Sequence, residues 1–295
     1  MRKIILGTDW WTDCDDIVAL RVLTRAAKNK DIDLIGIIIN ACMDFSAASV
    51  DGFLTLDGLS DIPIGIDLDG TDFEGKPSPY QEYLSQYATK YKTNKDAENA
   101  VKLYRRLLCE SDEPVEIIEI GFLQVFATLL KSEPDEYSPL CGMELVKEKV
   151  KKVWVMAGKW DENPGIEHNF INNHRSRLGG HIFCKECPVP VTFSGFEIGC
   201  DVITGTTLKK DDHLYQAMCK HGSANGRFSW DPMTALLAVV GDEASAGYTT
   251  IQGRASVDKL TGENTFTKSS DGLHKYVVKK YDNTYYENQI NRLIQ

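Results

Sequence analysis

The chain has 295 residues, with a hydrophobic fraction of 42% and a charged fraction of 26%, which excludes a disordered chain and supplies enough apolar side chains for a large core. Against 33 basic residues stand 43 acidic ones, a net charge of −10, and the fullest basic cluster, Lys147–Lys152, is broken by Glu148, so a nucleic-acid partner is not expected. No apolar run reaches the ~20 residues of a membrane span, and Met1–Gly7 is too short and too soon followed by acid for a signal peptide, so the expectation is a cytoplasmic protein with no membrane partner.

In chain order, Lys3–Gly7 reads as a first strand and Asp15–Lys28 as an amphipathic helix. Leu34–Ile39 is a second strand, Ala47–Leu59 a helix and Ile62–Ile66 a third strand. Asp67–Ser78 is a loop, punctuated by Gly70, Gly75 and Pro77. Lys95–Glu110 reads as a helix, Val115–Ile120 as a strand, and Leu123–Lys131 and Gly142–Lys149 as helices. Lys152–Met156 and Val189–Ser194 are strands, with a loop at Asp161–Gly165 between them. Asp231–Val240 is a helix with Pro232 in its first turn. His274–Lys280 is a late strand and Thr284–Leu293 a closing helix.

The strands are β-branched and continuously apolar, as strands covered on both faces are. Their alternation with helices predicts an α/β fold: an open, mostly parallel Rossmann-like sheet with helices on both faces and right-handed crossovers. No repeat, low-complexity tract or linker divides the chain, so residues 1–295 are expected to form a single domain. The eight cysteines are scattered and read as reduced thiols. The one CxxC, Cys184 to Cys187, has no second pair at zinc spacing, so buried thiols are the better reading than a zinc or redox centre.

In an open parallel sheet, ligands bind beyond the carboxyl ends of the strands. After the first strand comes Asp9-Trp10-Trp11-Thr12-Asp13-Cys14-Asp15-Asp16, four aspartates in eight residues. A helix N-terminus favours carboxylates and explains one or two of them. Four so close repel one another unless something positive lies between them, and a divalent cation with oxygen ligands answers that.

This segment resembles the Asp-rich N-terminal fingerprint of the inosine–uridine-preferring nucleoside hydrolase family, in a two-residue-longer form that fits Thr12 to Asp16. Gly7 stands where the family's first Asp usually stands, and Trp11 where its Gly does. Other segments agree in order. Gly158-Lys159-Trp160, Pro164 and Glu167-His168-Asn169 are similar to the family's glycine turn and Glu-Phe-Asn. Pro190–Gly199 resembles the strand and turn that follow. Ser229-Trp230-Asp231-Pro232 resembles its late His-Asp-Pro, and Glu119–Leu123 the place where a backbone carbonyl completes a metal shell. The resemblance spans roughly residues 1 to 240.

The resemblance implies a nucleoside hydrolase fold and metal-dependent hydrolysis of the N-glycosidic bond of a ribonucleoside, a reaction of purine or pyrimidine salvage, by a homodimer or homotetramer. It implies Ca²⁺, with Mg²⁺ as the other choice, held by Asp9, Asp16, Asp231 and the Ile120 carbonyl. Asp9 would also take the proton from water. Asp15 would bind a ribose hydroxyl, with Asp13 as its rival. Glu167 and Asn169 would bind sugar hydroxyls, or else cap a loop. Asn40, at the end of the second strand, and Asp161 are further candidate substrate contacts. Trp230 replaces the histidine that acts on the leaving base; indole is no acid, but it stacks. Trp10 and Trp11 could do likewise or pack in the core, and His168, in place of an aromatic, is a proton donor or a packing histidine. These departures leave two alternatives: hydrolysis of a different N-ribosyl or sugar substrate, and a non-catalytic ribose- or metal-binding protein.

Overall fold

In the computed structural model, which describes residues 1–295, the apolar runs become strands β1 (Arg2–Thr8), β2 (Ile32–Ile39), β3 (Ile64–Ile66), β4 (Glu98–Asn99), β5 (Val115–Glu119), β6 (Val150–Met156), β7 (Val191–Ser194), β8 (Ile203–Thr204), β9 (Arg227–Phe228), β10 (Tyr248–Val257), β11 (Asn264–Lys268) and β12 (His274–Lys279). The helices are α1 (Asp15–Lys28), α2 (Ser46–Leu56), α3 (Pro79–Ser85), α4 (Ala100–Glu110), α5 (Gln124–Leu130), α6 (Gly142–Lys149), α7 (His168–Ile171), α8 (His174–Glu186), α9 (Phe196–Gly199), α10 (His213–His221), α11 (Trp230–Val240) and α12 (Asn283–Leu293). No helix is long and apolar enough to cross a membrane.

One ten-stranded sheet runs β11-β10-β12-β7-β6-β5-β1-β2-β3-β4, and β8 and β9 form a separate ribbon. Every pairing from β12 to β4 is parallel; only β10 is antiparallel to its neighbours. This is the open, mostly parallel α/β architecture expected. Both faces are covered. Leu6 and Ile37 belong to the core under α1, α2 and α11, while Ile5 and Ile38 belong to the core under α4, α5 and α8. Successive residues of a strand point to opposite faces, which is why these strands are apolar without alternation.

Some boundaries differ from expectation, for local reasons. The helix expected from Lys95 begins at Ala100, because Asn99 caps it, its side chain accepting from the N–H groups of Val101 (3.0 Å) and Lys102 (3.2 Å). The third and seventh strands begin after Pro63 and Pro190, which cannot donate to a ladder. All eight cysteines are free, with Cys184 and Cys187 buried.

The chain leaves β1 toward β2, β3 and β4, then returns through β5 to the other flank of β1. Loops leaving β1 and β5 therefore diverge, and a crevice opens between them at the carboxyl ends of the strands.

Candidate functional site

At that crevice lies a cleft of about 240 Å³. Asp9 and Thr12 follow β1, Asp15 and Asp16 open α1, Ile120 follows β5, and Trp230 and Asp231 open α11. Asp13, Met156, Glu167, His168, Asn169 and Phe196 complete its wall. Ten of the sequence-singled positions thus meet here from four separate stretches of chain: Asp9, Asp13, Asp15, Asp16, Ile120, Glu167, His168, Asn169, Trp230 and Asp231.

Asp15, Asp16 and Asp231 are buried, with ligand oxygens all within 4.8 Å of one another. Asp16 accepts from the Thr8 hydroxyl and from the Trp10 N–H (3.2 Å), and Asp15 accepts from the Asp231 N–H (3.1 Å). Burial and the neighbouring carboxylates push all three far above the usual carboxylate range. Asp9 is pushed up to about 8, by burial first and then by Asp15 and Asp13. An all-oxygen, all-acidic donor set that would otherwise hold protons fits a hard divalent cation. The tight trio includes Asp15, which the sequence resemblance reserved for ribose.

Asp13 is settled otherwise. Its carboxylate pairs with Arg227, which donates from Nε (2.8 and 3.1 Å) and from Nη2, and it accepts from the Cys14 N–H (2.6 Å). Of the two rivals for a ribose hydroxyl, Asp13 is the one already paired. Arg227 escaped the sequence reading, since nothing in its own segment marks it.

Glu167 and Asn169 build the opposite wall. Glu167 accepts from the N–H of Asn169 (2.9 Å) and of Gly158 (2.8 Å), so it caps α7 and also faces the cleft. Burial pushes it up to about 7. Asn169 donates to the Met156 carbonyl (2.9 Å). Gly158 turns the chain at φ +82, where a Cβ would lie 2.5 Å from the Trp160 ring.

Four candidates do not reach the cleft wall. Asn40 is buried beside it, accepting from the Phe122 N–H (3.1 Å) and tying the end of β2 to the loop after β5. Asp161 is exposed and lies 3.6 Å from Lys159 Nζ. Trp10 and Trp11 are core residues. Trp10 donates to Ser49 Oγ (2.7 Å) and packs edge-on against Phe53 and Tyr80, while Trp11 packs against Phe73 and Phe122. Trp10 also holds φ +49, a left-handed conformation unusual for a bulky residue, inside the carboxylate loop.

Gly7 has a visible counterpart. A Cβ on it would lie 2.0 Å from Glu119 Oε2, so the carboxyl of the neighbouring strand fills the space over Gly7. Glu119 is fully buried, receives the Tyr104 hydroxyl (2.5 Å) on Oε1 and leaves Oε2 unpartnered.

No family model matches the chain, and no curated protein matches it in sequence. Solved structures do match it in fold. A plant nucleoside hydrolase superposes with a TM-score of 0.73 at 17% identity, over 99% of this chain and 98% of that one. An inosine–uridine-preferring nucleoside hydrolase from Bacillus anthracis gives 0.68 at 16%, over 100% and 99%. A purine-preferring ribonucleoside hydrolase from Gardnerella vaginalis gives 0.69 at 16%, over 99% and 98%. Likeness of this extent, along the whole of both chains, shows that the chain has the nucleoside hydrolase fold.

Proposed function

We propose that the protein hydrolyses the N-glycosidic bond of a ribonucleoside with the help of a divalent cation, Ca²⁺ or Mg²⁺. The convergence of buried Asp15, Asp16 and Asp231 with Asp9 at the switch point of the sheet carries this reading. Asp9, Asp16, Asp231 and the Ile120 carbonyl would hold the cation, with Asp15 against it. When bound, such a cation lowers the pKa of a water and grips vicinal hydroxyls.

The chain's own groups supply the rest. Asp9, ionised once the cluster is neutralised, accepts the proton of the attacking water. Asp15, Glu167 and Asn169 orient the ribose hydroxyls and so hold its anomeric carbon toward that water. Trp230, stacked on Phe196 at 5.5 Å, offers a flat apolar surface for the base. The transition state resembles an oxocarbenium ion, as in glycoside hydrolysis generally, and the surrounding carboxylates stabilise its positive charge.

A reducing-sugar assay over a nucleoside panel, with and without Ca²⁺, tests the reading. Turnover should vanish in EDTA and in Asp9→Ala and Asp231→Ala. Turnover indifferent to all three would end it. Two observations favour a second reading: no histidine precedes Asp231, and Arg227 sits beside Trp230 with its guanidinium 5.7 Å from the ring. N-ribosides with non-standard aglycones belong in the panel for that reason. If calorimetry finds ribose binding where no substrate turns over, the non-catalytic alternative stands instead.

A further inference from the structure

Departure of the base needs a hydrogen-bond donor, and Trp230 has none to spare: its Nε1–H is given to the Phe196 carbonyl (3.0 Å). His168, at the start of α7, lines the cleft and is exposed into it. Its Nε2 lies 3.1 Å from Asn172 Nδ2. The orientation of that amide is set by the Asp67–Ser78 loop. The Glu74 N–H points at one amide atom at 2.8 Å, which must be the oxygen, and the Glu74 carbonyl faces the other at 3.0 Å, which must be the nitrogen. An amide nitrogen only donates. His168 Nε2 is therefore an acceptor, and the proton of the neutral ring sits on Nδ1. Nδ1 itself has no hydrogen-bond partner in the protein. Phe122 supports the ring at 5.8 Å. Desolvation lowers the histidine's pKa and so favours the neutral ring, against the opposing pull of the Asp13 carboxylate.

We infer that His168 presents Nδ1–H to the departing base, at an acceptor beside the glycosidic nitrogen such as O2 of a pyrimidine or N3 of a purine, with Asn172 as its positioning residue. This rests on the N-ribohydrolase reading. As the C–N bond breaks, its electron pair passes to the base, and the donor stabilises the charge that collects on that acceptor. The imidazole keeps its proton throughout. The released base takes one from solvent, while Asp9 has taken one from the attacking water.

The test compares inosine and uridine with p-nitrophenyl riboside, whose aglycone departs unaided. His168→Phe should lower kcat on the nucleosides by roughly 10²-fold and retain hydrolysis of the nitrophenyl substrate. Asn172→Ala, with His168 intact, should give a smaller loss of the same selectivity. ¹⁵N-imidazole NMR of the intact protein should show His168 as the Nδ1–H tautomer, and should lose that preference in Asn172→Ala. Equal losses on both substrate types, or an Nε2–H tautomer in the intact protein, would overturn the role of His168 while leaving the hydrolase reading in place. Failure of the unaltered protein on every riboside would overturn the hydrolase reading and the inference with it.

Discussion

Gly7 and Glu119 face each other in the β1–β5 ladder, and their fit is tight enough to test. Gly7→Ala puts a Cβ 2.0 Å from a carboxylate oxygen that is buried and anchored by Tyr104. Overpacking of this kind costs roughly 1–3 kcal/mol. Glu119→Ala alone also destabilises, by leaving a cavity and an unpaired Tyr104 hydroxyl. In the double variant the new methyl occupies part of the vacated space, so the two costs should fall short of their sum in denaturant titrations. Strict additivity would show that the two side-chain positions do not share space. The cleft carboxylates were legible in the sequence because each stands at a strand's end or a helix's start. The role of Asp13 was not, since its partner Arg227 lies 214 residues away and such an ion pair leaves no local pattern. Nor did the sequence distinguish a tryptophan at a cleft from one beneath it. Trp10 and Trp11 adjoin the acidic loop, yet the indoles turn inward to fill the core.

Elements with a strong period were readable, and elements shaped by their neighbours were not. Helices α1 and α6 fall on the expected residues, because first-turn acids mark the start of each apolar face and last-turn basic residues mark its end. Strands β10 and β11 were missed. They form the antiparallel edge of the sheet, with wet faces and polar residues such as Gln252, Arg254 and Thr265 in place of an apolar run. Helix α8 was missed because Gly179 and Gly180 depress its helix propensity. Gly179 lies against α5, where a Cβ would come within 2.7 Å of the Gln124 backbone. The Asp67–Ser78 loop was expected as a loop, but its role as a strap was not. Asn172 bonds both backbone atoms of Glu74, Asn173 donates to the Asp72 carbonyl (2.8 Å), and Arg175 donates to the Asp72 carboxylate (2.9 Å) and the Asp69 carbonyl (3.0 Å). Asn172→Ala removes two of these bonds, each worth about 1 kcal/mol. Amide exchange in residues 67–78 should quicken, while exchange in β1 and β5 stays slow. Uniform quickening across the sheet would mean that the strap is part of the global fold and does not open locally.

The buried acids among those behind the −10 charge give the molecule a pH dependence of definite sign. Asp9 and Glu119 are raised to about 8, and Glu167 and Glu197 to about 7, in each case by burial first. In the unfolded chain such groups titrate near ~4. Between about pH 4 and pH 8 the folded protein therefore binds more protons than the unfolded one, and stability falls as pH rises through that window. In chelator, the thermal midpoint should be highest near pH 5 and should decline toward pH 8. A divalent cation reverses the trend, because it competes with those protons and binds only where folding gathers the carboxylates. At a hundredfold excess over its Kd a ligand contributes about 2.7 kcal/mol, a shift of several degrees at most in a chain of this size. The Ca²⁺-induced shift should be near zero at pH 5, grow toward pH 8, and be lost in Asp231→Ala. That variant should also melt higher than the unaltered protein at pH 8 in chelator, since it lacks one of the mutually repelling acids. A Ca²⁺ shift that shrinks with rising pH would place the ion elsewhere on the surface, and a shift that survives in Asp231→Ala would do the same.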